Sequence, residues 1–142
     1  MTVPAFNSVA WSEFGTDQPE KVKEFYGELF DWSYVLNTNT RGVTYHSVMT
    51  PSAQQPAGGV WESEGKFPDY AIFYVLVQDV AETVERAGEL GAKVLMEPVS
   101  DSAGFTFARL RDTAGNHFGV FRTRPVTGSA GTRTALAGRP VL

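Results

Sequence analysis

Glu13 and His117 are the side chains whose type and placement could do acid–base chemistry. Glu13 lies in the strand-like run Ser8–Phe14, two positions after Trp11. In an extended strand those two share a face. A carboxylate among aromatic rings loses hydration, which raises its pKa and poises it as a general acid or base. The plainer alternative is a structural Glu bonded to a neighbouring strand or to backbone amides. His117 opens the last strand-like segment and shares its face with Gly119 and Phe121. Its plainer alternative is a solvated histidine at a sheet rim. His46 lies in Thr44-Tyr-His-Ser-Val48. If Tyr45 and Ser47 face a cavity, His46 faces away. Glu62 and Glu64 lie in the loop that connects the two halves of the chain and read as solvated.

Aromatic residues make up 13% of the 142 residues. Trp11, Trp61, Tyr70 and Tyr74 fall at strand positions that would line one concave face, joined by Tyr45 and Phe121 as ligand-facing candidates. Simple core packing is the competing account, since pockets and cores draw on the same residues. The chain has no cysteine, which removes disulfides, thiolate metal sites and a Cys nucleophile together. No nucleophile elbow, phosphate-cradling loop or dinucleotide fingerprint is present.

The charge is uneven. Residues 1–122 carry nine basic and sixteen acidic side chains, a net −7, and residues 123–142 carry three Arg and no acid. An acidic body disfavours nucleic acid, which needs a basic face. No apolar run approaches the roughly 18 residues of a membrane span. The opening Met1-Thr-Val-Pro-Ala-Phe-Asn7 lacks the basic and apolar regions of a secretory signal. The expectation is a cytoplasmic protein without a membrane or nucleic-acid partner.

Two stretches of the chain read alike. Asp17-Gln-Pro-Glu20-Lys-Val22 is echoed by Asp79-Val-Ala-Glu82-Thr-Val84, and Gly27-Glu-Leu29 by Gly88-Glu-Leu90. Val22, Phe25, Tyr26, Leu29 and Phe30 follow the spacing of an amphipathic helix, capped by Thr16 or Asp17 with Pro19 in its first turn. Val80, Val84, Ala87 and Leu90 form the second stripe, with Asp79 as cap and Gly91 as stop. Strands are expected at Ser8–Phe14, Ser33–Asn37, Val43–Met49, Gly58–Glu62, Tyr70–Val77, Lys93–Glu97, Phe105–Leu110 and His117–Arg122. The order is β-α-β-β-β, twice. Asn37–Gly42 and Asp112–Asn116 read as turns, Pro51–Pro56 and Ser100–Gly104 as loops, and Gly58-Gly59 as a strand irregularity. Residues 123–142 read as a flexible tail, with an arm that docks on a partner subunit as the alternative.

This double β-α-β-β-β pattern resembles the vicinal oxygen chelate superfamily, which includes glyoxalases, bleomycin-resistance proteins and extradiol dioxygenases. The resemblance rests on Trp11-Ser-Glu13-Phe14, Phe25-Tyr26-Gly27, Leu29-Phe30-Asp31-Trp32, Tyr74–Asp79, Gly88–Ala92 and Asp112–Phe121. It implies an α+β fold in which two modules, about 5–62 and 68–122 within one domain of residues 1–122, form a barrel-like curved mixed sheet around a central cavity. His117 would then face that cavity. The resemblance also implies four metal-ligand points. They fall near Trp11, within Gly58–Trp61, on Ile72 and on Gly119, and none offers a ligating side chain.

The expectation is therefore a metal-independent small-molecule protein with an aromatic-lined cavity, holding no metal and no cofactor. It would bind or tailor an aromatic or cationic metabolite, with Glu13 and His117 as catalytic candidates. The ligand-binding candidates are Trp11, Tyr45, Trp61, Tyr70, Tyr74 and Phe121. A metal-dependent lyase or dioxygenase is the alternative. A homodimer is expected, partly because short strands leave sheet edges needing cover.

Overall fold

The computed structural model describes residues 4–37, 44–100 and 104–123. The expected tail beyond Thr123, most of the Asn37–Gly42 turn and the middle of the Ser100–Gly104 loop lie outside the described residues.

The fold is α+β, with eight strands in mixed parallel and antiparallel pairing and two helices. In chain order these are β1 (Val9–Thr16), α1 (Pro19–Phe30), β2 (Ser33–Asn37), β3 (Tyr45–Met49), β4 (Gly58–Glu62), β5 (Tyr70–Leu76), α2 (Val80–Glu89), β6 (Lys93–Ser100), β7 (Thr106–Arg111) and β8 (His117–Arg122). Alternating hydrophobicity and turn residues located nearly every element. β6 runs three residues past its expected end and β1 two.

The described chain divides into two compact units. The first spans 11–37 and 44–71; the second spans 4–10, 72–100 and 104–123. In the first, the strand order is β2-β3-β4-β1, with β1 parallel to β4 and the other pairs antiparallel. In the second, the order is β5-β8-β7-β6, with β5 parallel to β8. The Gly58-Gly59 pair is not an irregularity. Both glycines keep unbroken register with β1 and with β3.

The helices differ in how they are anchored. α2 has the expected cap, Asp79, whose carboxylate accepts from the Glu82 amide at 2.9 Å. Val80 and Val84 enter a core cluster with Val77, Ala108, Leu110 and Val120. The last stripe residue, Leu90, is exposed instead, because the helix has already ended. α1 starts after Gln18, which makes no side-chain cap bond. Thr16 acts two residues before the cap position, its hydroxyl accepting from the Gln18 amide at 3.0 Å and donating to Asp69 at 2.9 Å. Tyr26 anchors α1 by stacking on Phe14 and Trp32, with centroids 5.0 and 5.3 Å apart. The rest of the expected stripe is less buried: Phe25, Leu29 and Phe30 stay exposed. Among the described residues no helix is long and apolar enough to cross a membrane.

Candidate functional site

The first unit gathers Trp11, Glu13, Tyr45 and Tyr70 around one carboxylate. β1 alternation turns Trp11 and Glu13 to the same face, where they are 3% and 1% exposed. That face is opposite to Phe14, which meets α1 through Tyr26. The Tyr45 hydroxyl donates to Glu13 Oε1 at 3.0 Å and accepts from Trp11 Nε1 at 2.9 Å. The Tyr70 hydroxyl donates to Glu13 Oε2 at 2.5 Å. Both carboxylate oxygens therefore have phenolic donors. These bonds replace hydration that a fully buried carboxylate would otherwise lose outright.

Two glycines make room for the phenols. A Cβ on Gly59 would lie 2.1 Å from the Tyr45 ring, and one on Gly15 would lie 2.2 Å from the Tyr70 ring. Each ring occupies the place of a missing side chain, and that brings its hydroxyl onto Glu13. Register adds the next residue, since Tyr45 stands opposite Trp61 across β3 and β4. Trp61 meets Phe67 edge-on at 6.1 Å, and Phe67 stacks on Tyr70 at 5.7 Å. Trp61, Phe67 and Tyr70 are half-buried and form a continuous aromatic row. Phe67 was not among the residues expected from sequence. Its signal was an aromatic side chain within the charged, proline-containing loop Glu64–Asp69.

The second unit holds Tyr74, Phe121 and His117. The Tyr74 ring lies over Gly119, where a Cβ would come within 2.4 Å, and meets Phe121 edge-on at 6.2 Å. Pairing of β7 with β8 puts Arg109 opposite Gly119 and Arg111 opposite His117. His117 is half-buried, and its pKa falls to about 4 through burial and then the nearby Arg109 and Arg111 charges. It is neutral at physiological pH. Glu13 and His117 fall in different units.

His46 turns to the α1 side of the first unit. Its Nδ1 lies 3.5 Å from Lys23 Nζ, and burial followed by the Lys23 charge lowers its pKa. Tyr45 and Ser47 turn to the other face and are buried.

A family model for the Glyoxalase/Bleomycin resistance protein/Dioxygenase superfamily matches residues 7–120. The chain belongs to this superfamily. No curated protein matches the chain. Solved structures of the superfamily's fold do. A hypothetical protein from Bacillus halodurans C-125 matches at 14% identity and TM-score 0.61, covering 86% of this chain and 98% of its own. A variant of methylmalonyl-CoA epimerase from Streptomyces coelicolor, in complex with 2-nitronate-propionyl-CoA, matches at 14% identity and TM-score 0.61, covering 84% and 99%. Methylmalonyl-CoA epimerase from Mycobacterium tuberculosis matches at 12% identity and TM-score 0.58, covering 87% and 94%. At these identities the likeness is one of fold, and a superfamily fold hosts many functions.

The metal points that the superfamily resemblance implies do not fit a divalent ion here. Trp11 uses its ring nitrogen as a hydrogen-bond donor to Tyr45. Ile72 is a buried aliphatic residue, and the space beside Gly119 is filled by the Tyr74 ring. Among the described residues no group of three or more His, Asp, Glu or Cys side chains is placed to hold a metal.

Proposed function

We propose that this superfamily member is a metal-independent small-molecule binding protein whose recognition surface in the first unit is the aromatic row Trp61, Phe67 and Tyr70. The carrying observation is the state of Glu13: both of its oxygens accept from tyrosine hydroxyls. A general base needs a lone pair within reach of the substrate proton. Glu13 is 1% exposed, so the lone pairs it does not commit to Tyr45 and Tyr70 are closed off from a substrate, which favours binding over turnover. Three half-buried rings offer a planar or cationic metabolite large apolar contact and ring faces for cation–π attraction. The proposal includes a cytoplasmic homodimer without a nucleic-acid partner. The exposed Phe25, Leu29 and Phe30 of α1 support the dimer, and the acidic body supports the absence of nucleic acid.

The competing reading is a tailoring enzyme that uses Glu13, with the half-buried Tyr70 as the outer end of its hydrogen-bond chain. Glu13→Gln separates the two. A panel of aromatic and cationic metabolites is screened by thermal shift, and the best binder is measured on the native protein and on Glu13→Gln. A positioning role lowers stability by about 1–3 kcal/mol, through a mismatched buried bond, and leaves affinity within about two-fold. Intact stability with a ten-fold or greater loss of turnover, roughly 1.4 kcal/mol, would instead establish the enzyme. Elemental analysis of purified protein is expected to find no stoichiometric metal. About one Zn, Ni, Mn or Fe per chain, retained through gel filtration, would overturn metal independence.

A further inference from the structure

The two helices balance their own ends differently. α2 carries Glu82 in its first turn and Arg86 in its last. Those charges sit at the ends of the helix dipole that favour them. α1 has Glu20 in its first turn, held by Lys23 at 2.9 Å, but no basic residue in its last turn. Glu28 occupies that negative end and Lys21 the positive one, each opposed by the dipole. Among the described residues neither of them enters an ion pair.

Lys21 and Glu28 are seven residues apart. They therefore lie on one face of α1, separated by two turns or about 10 Å along the axis. Phe25 and Leu29 run along one flank of that face and Glu24 lies on the other. An open groove of about 610 Å³ follows these five residues. Phe25 is 59% exposed and Leu29 57%. Such a face complements a copy of itself only when the two helices run antiparallel. A parallel pair would set Lys21 against Lys21 and Glu28 against Glu28. In the antiparallel pair, a two-fold axis crossing α1 between Glu24 and Phe25 sets Lys21 of each copy opposite Glu28 of the other. The same axis keeps the apolar flanks together, Phe25 and Leu29 against their counterparts, and leaves Glu24 on the solvated flank. Each C-terminal end then gains the cation it lacks.

We propose that the face of α1 carrying Lys21, Phe25, Glu28 and Leu29 is the docking site of a second copy of this chain, bound antiparallel about that two-fold axis. The inference rests on the homodimer reading and specifies the surface and charges that build it. Phe25 and Leu29 supply the apolar contact, and the two Lys21–Glu28 pairs fix its direction.

Sedimentation of the full chain over a concentration series tests it. The native protein runs at twice the 15.5 kDa chain mass. Phe25→Ser with Leu29→Ser raises the dissociation constant by about a hundred-fold or more. Lys21→Glu raises it by about ten-fold, and so does Glu28→Lys. The two charge changes in one chain restore native affinity, because each reversed residue again meets an opposite charge. All these positions are exposed on α1, and unchanged circular dichroism shows the helix intact in each variant. The chain has no cysteine, so introduced ones report the direction of the helices. Lys21→Cys with Glu28→Cys oxidises to a linked pair of chains, since about 10 Å of separation forbids the bond within one helix. Lys21→Cys alone stays unlinked. A native chain that is monomeric throughout overturns this inference and the homodimer reading together. A dimer that survives Phe25→Ser with Leu29→Ser overturns this inference alone and leaves the homodimer standing. So does linkage of Lys21→Cys alone, which would mean parallel helices.

Discussion

Where β1 meets β4, Glu13 stands opposite Gly59; where β5 meets β8, Tyr74 stands opposite Gly119. The register is the same and the glycine is the same, but the filling differs. In the second unit Tyr74 itself lies over the glycine and packs on Phe121. In the first, the side chain at that register is a carboxylate, and Tyr45 comes from β3 to cover the glycine and bond to it. One duplicated frame thus carries a ring packed on a ring in one unit and a hydrogen-bonded polar network in the other. The helices diverge in parallel. α2 buries Val80 and Val84 in an aliphatic cluster, whereas Pro19 is the one fully buried residue of α1, which relies on aromatic stacking.

The sharpest way to break this comparison is to fill the two glycines. Gly59→Ala pushes a Cβ into the Tyr45 ring, which is fully buried and tied to both Glu13 and Trp11. The expected cost is about 3 kcal/mol or more, from overpacking plus a broken buried bond. Gly119→Ala meets the Tyr74 ring, which packs on Phe121, and is expected to cost about 1–3 kcal/mol. Chemical denaturation of both variants ranks them. Equal costs would mean that the Glu13 network adds nothing to the packing.

A smaller contrast separates the helices. Val84→Ala removes methyl groups from the cluster under α2 and is expected to cost about 1–2 kcal/mol. Leu29→Ala on α1, where the side chain is more than half exposed, should stay within about 0.5 kcal/mol in the monomer. A large Leu29→Ala effect that grows with protein concentration would place that face in the homodimer.

A further modest effect is one of pH, in the second unit. His117 has a folded-state pKa of about 4, below the ordinary 6.5, so the unfolded chain binds the proton more readily. Its contribution is complete above about pH 6.5 and is lost as pH falls from there towards 4. After solvent screening of a half-buried group this amounts to about 1 kcal/mol. His117→Asn should flatten the stability profile over that window. His46, also lowered, contributes in the same direction and leaves a residual slope.

Much of the fold was legible because its signals are local. The repeat, the Asp79 cap, the strand positions and the shared face of Trp11 and Glu13 follow from periodicity and turn chemistry within a few residues. Where local reading went astray, a tertiary contact had taken over. Thr16 turned to Asp69, 53 residues away, rather than capping α1. The glycines at 58 and 59 keep strand register because a ring from another strand fills the space beside Gly59. Phe67 joined the aromatic row although the loop holding it carries no periodic signal.

The sequence by itself determined that this is a duplicated α+β chain and that a carboxylate shares a strand face with a tryptophan. Only the tertiary structure decided what that carboxylate does. Its donors, Tyr45 and Tyr70, lie 32 and 57 residues from Glu13. Such bonds depend on strand register to within one residue and on where a ring can lie. Register and ring placement are settled by packing against Gly59 and Gly15, and neither leaves a periodic trace in the chain.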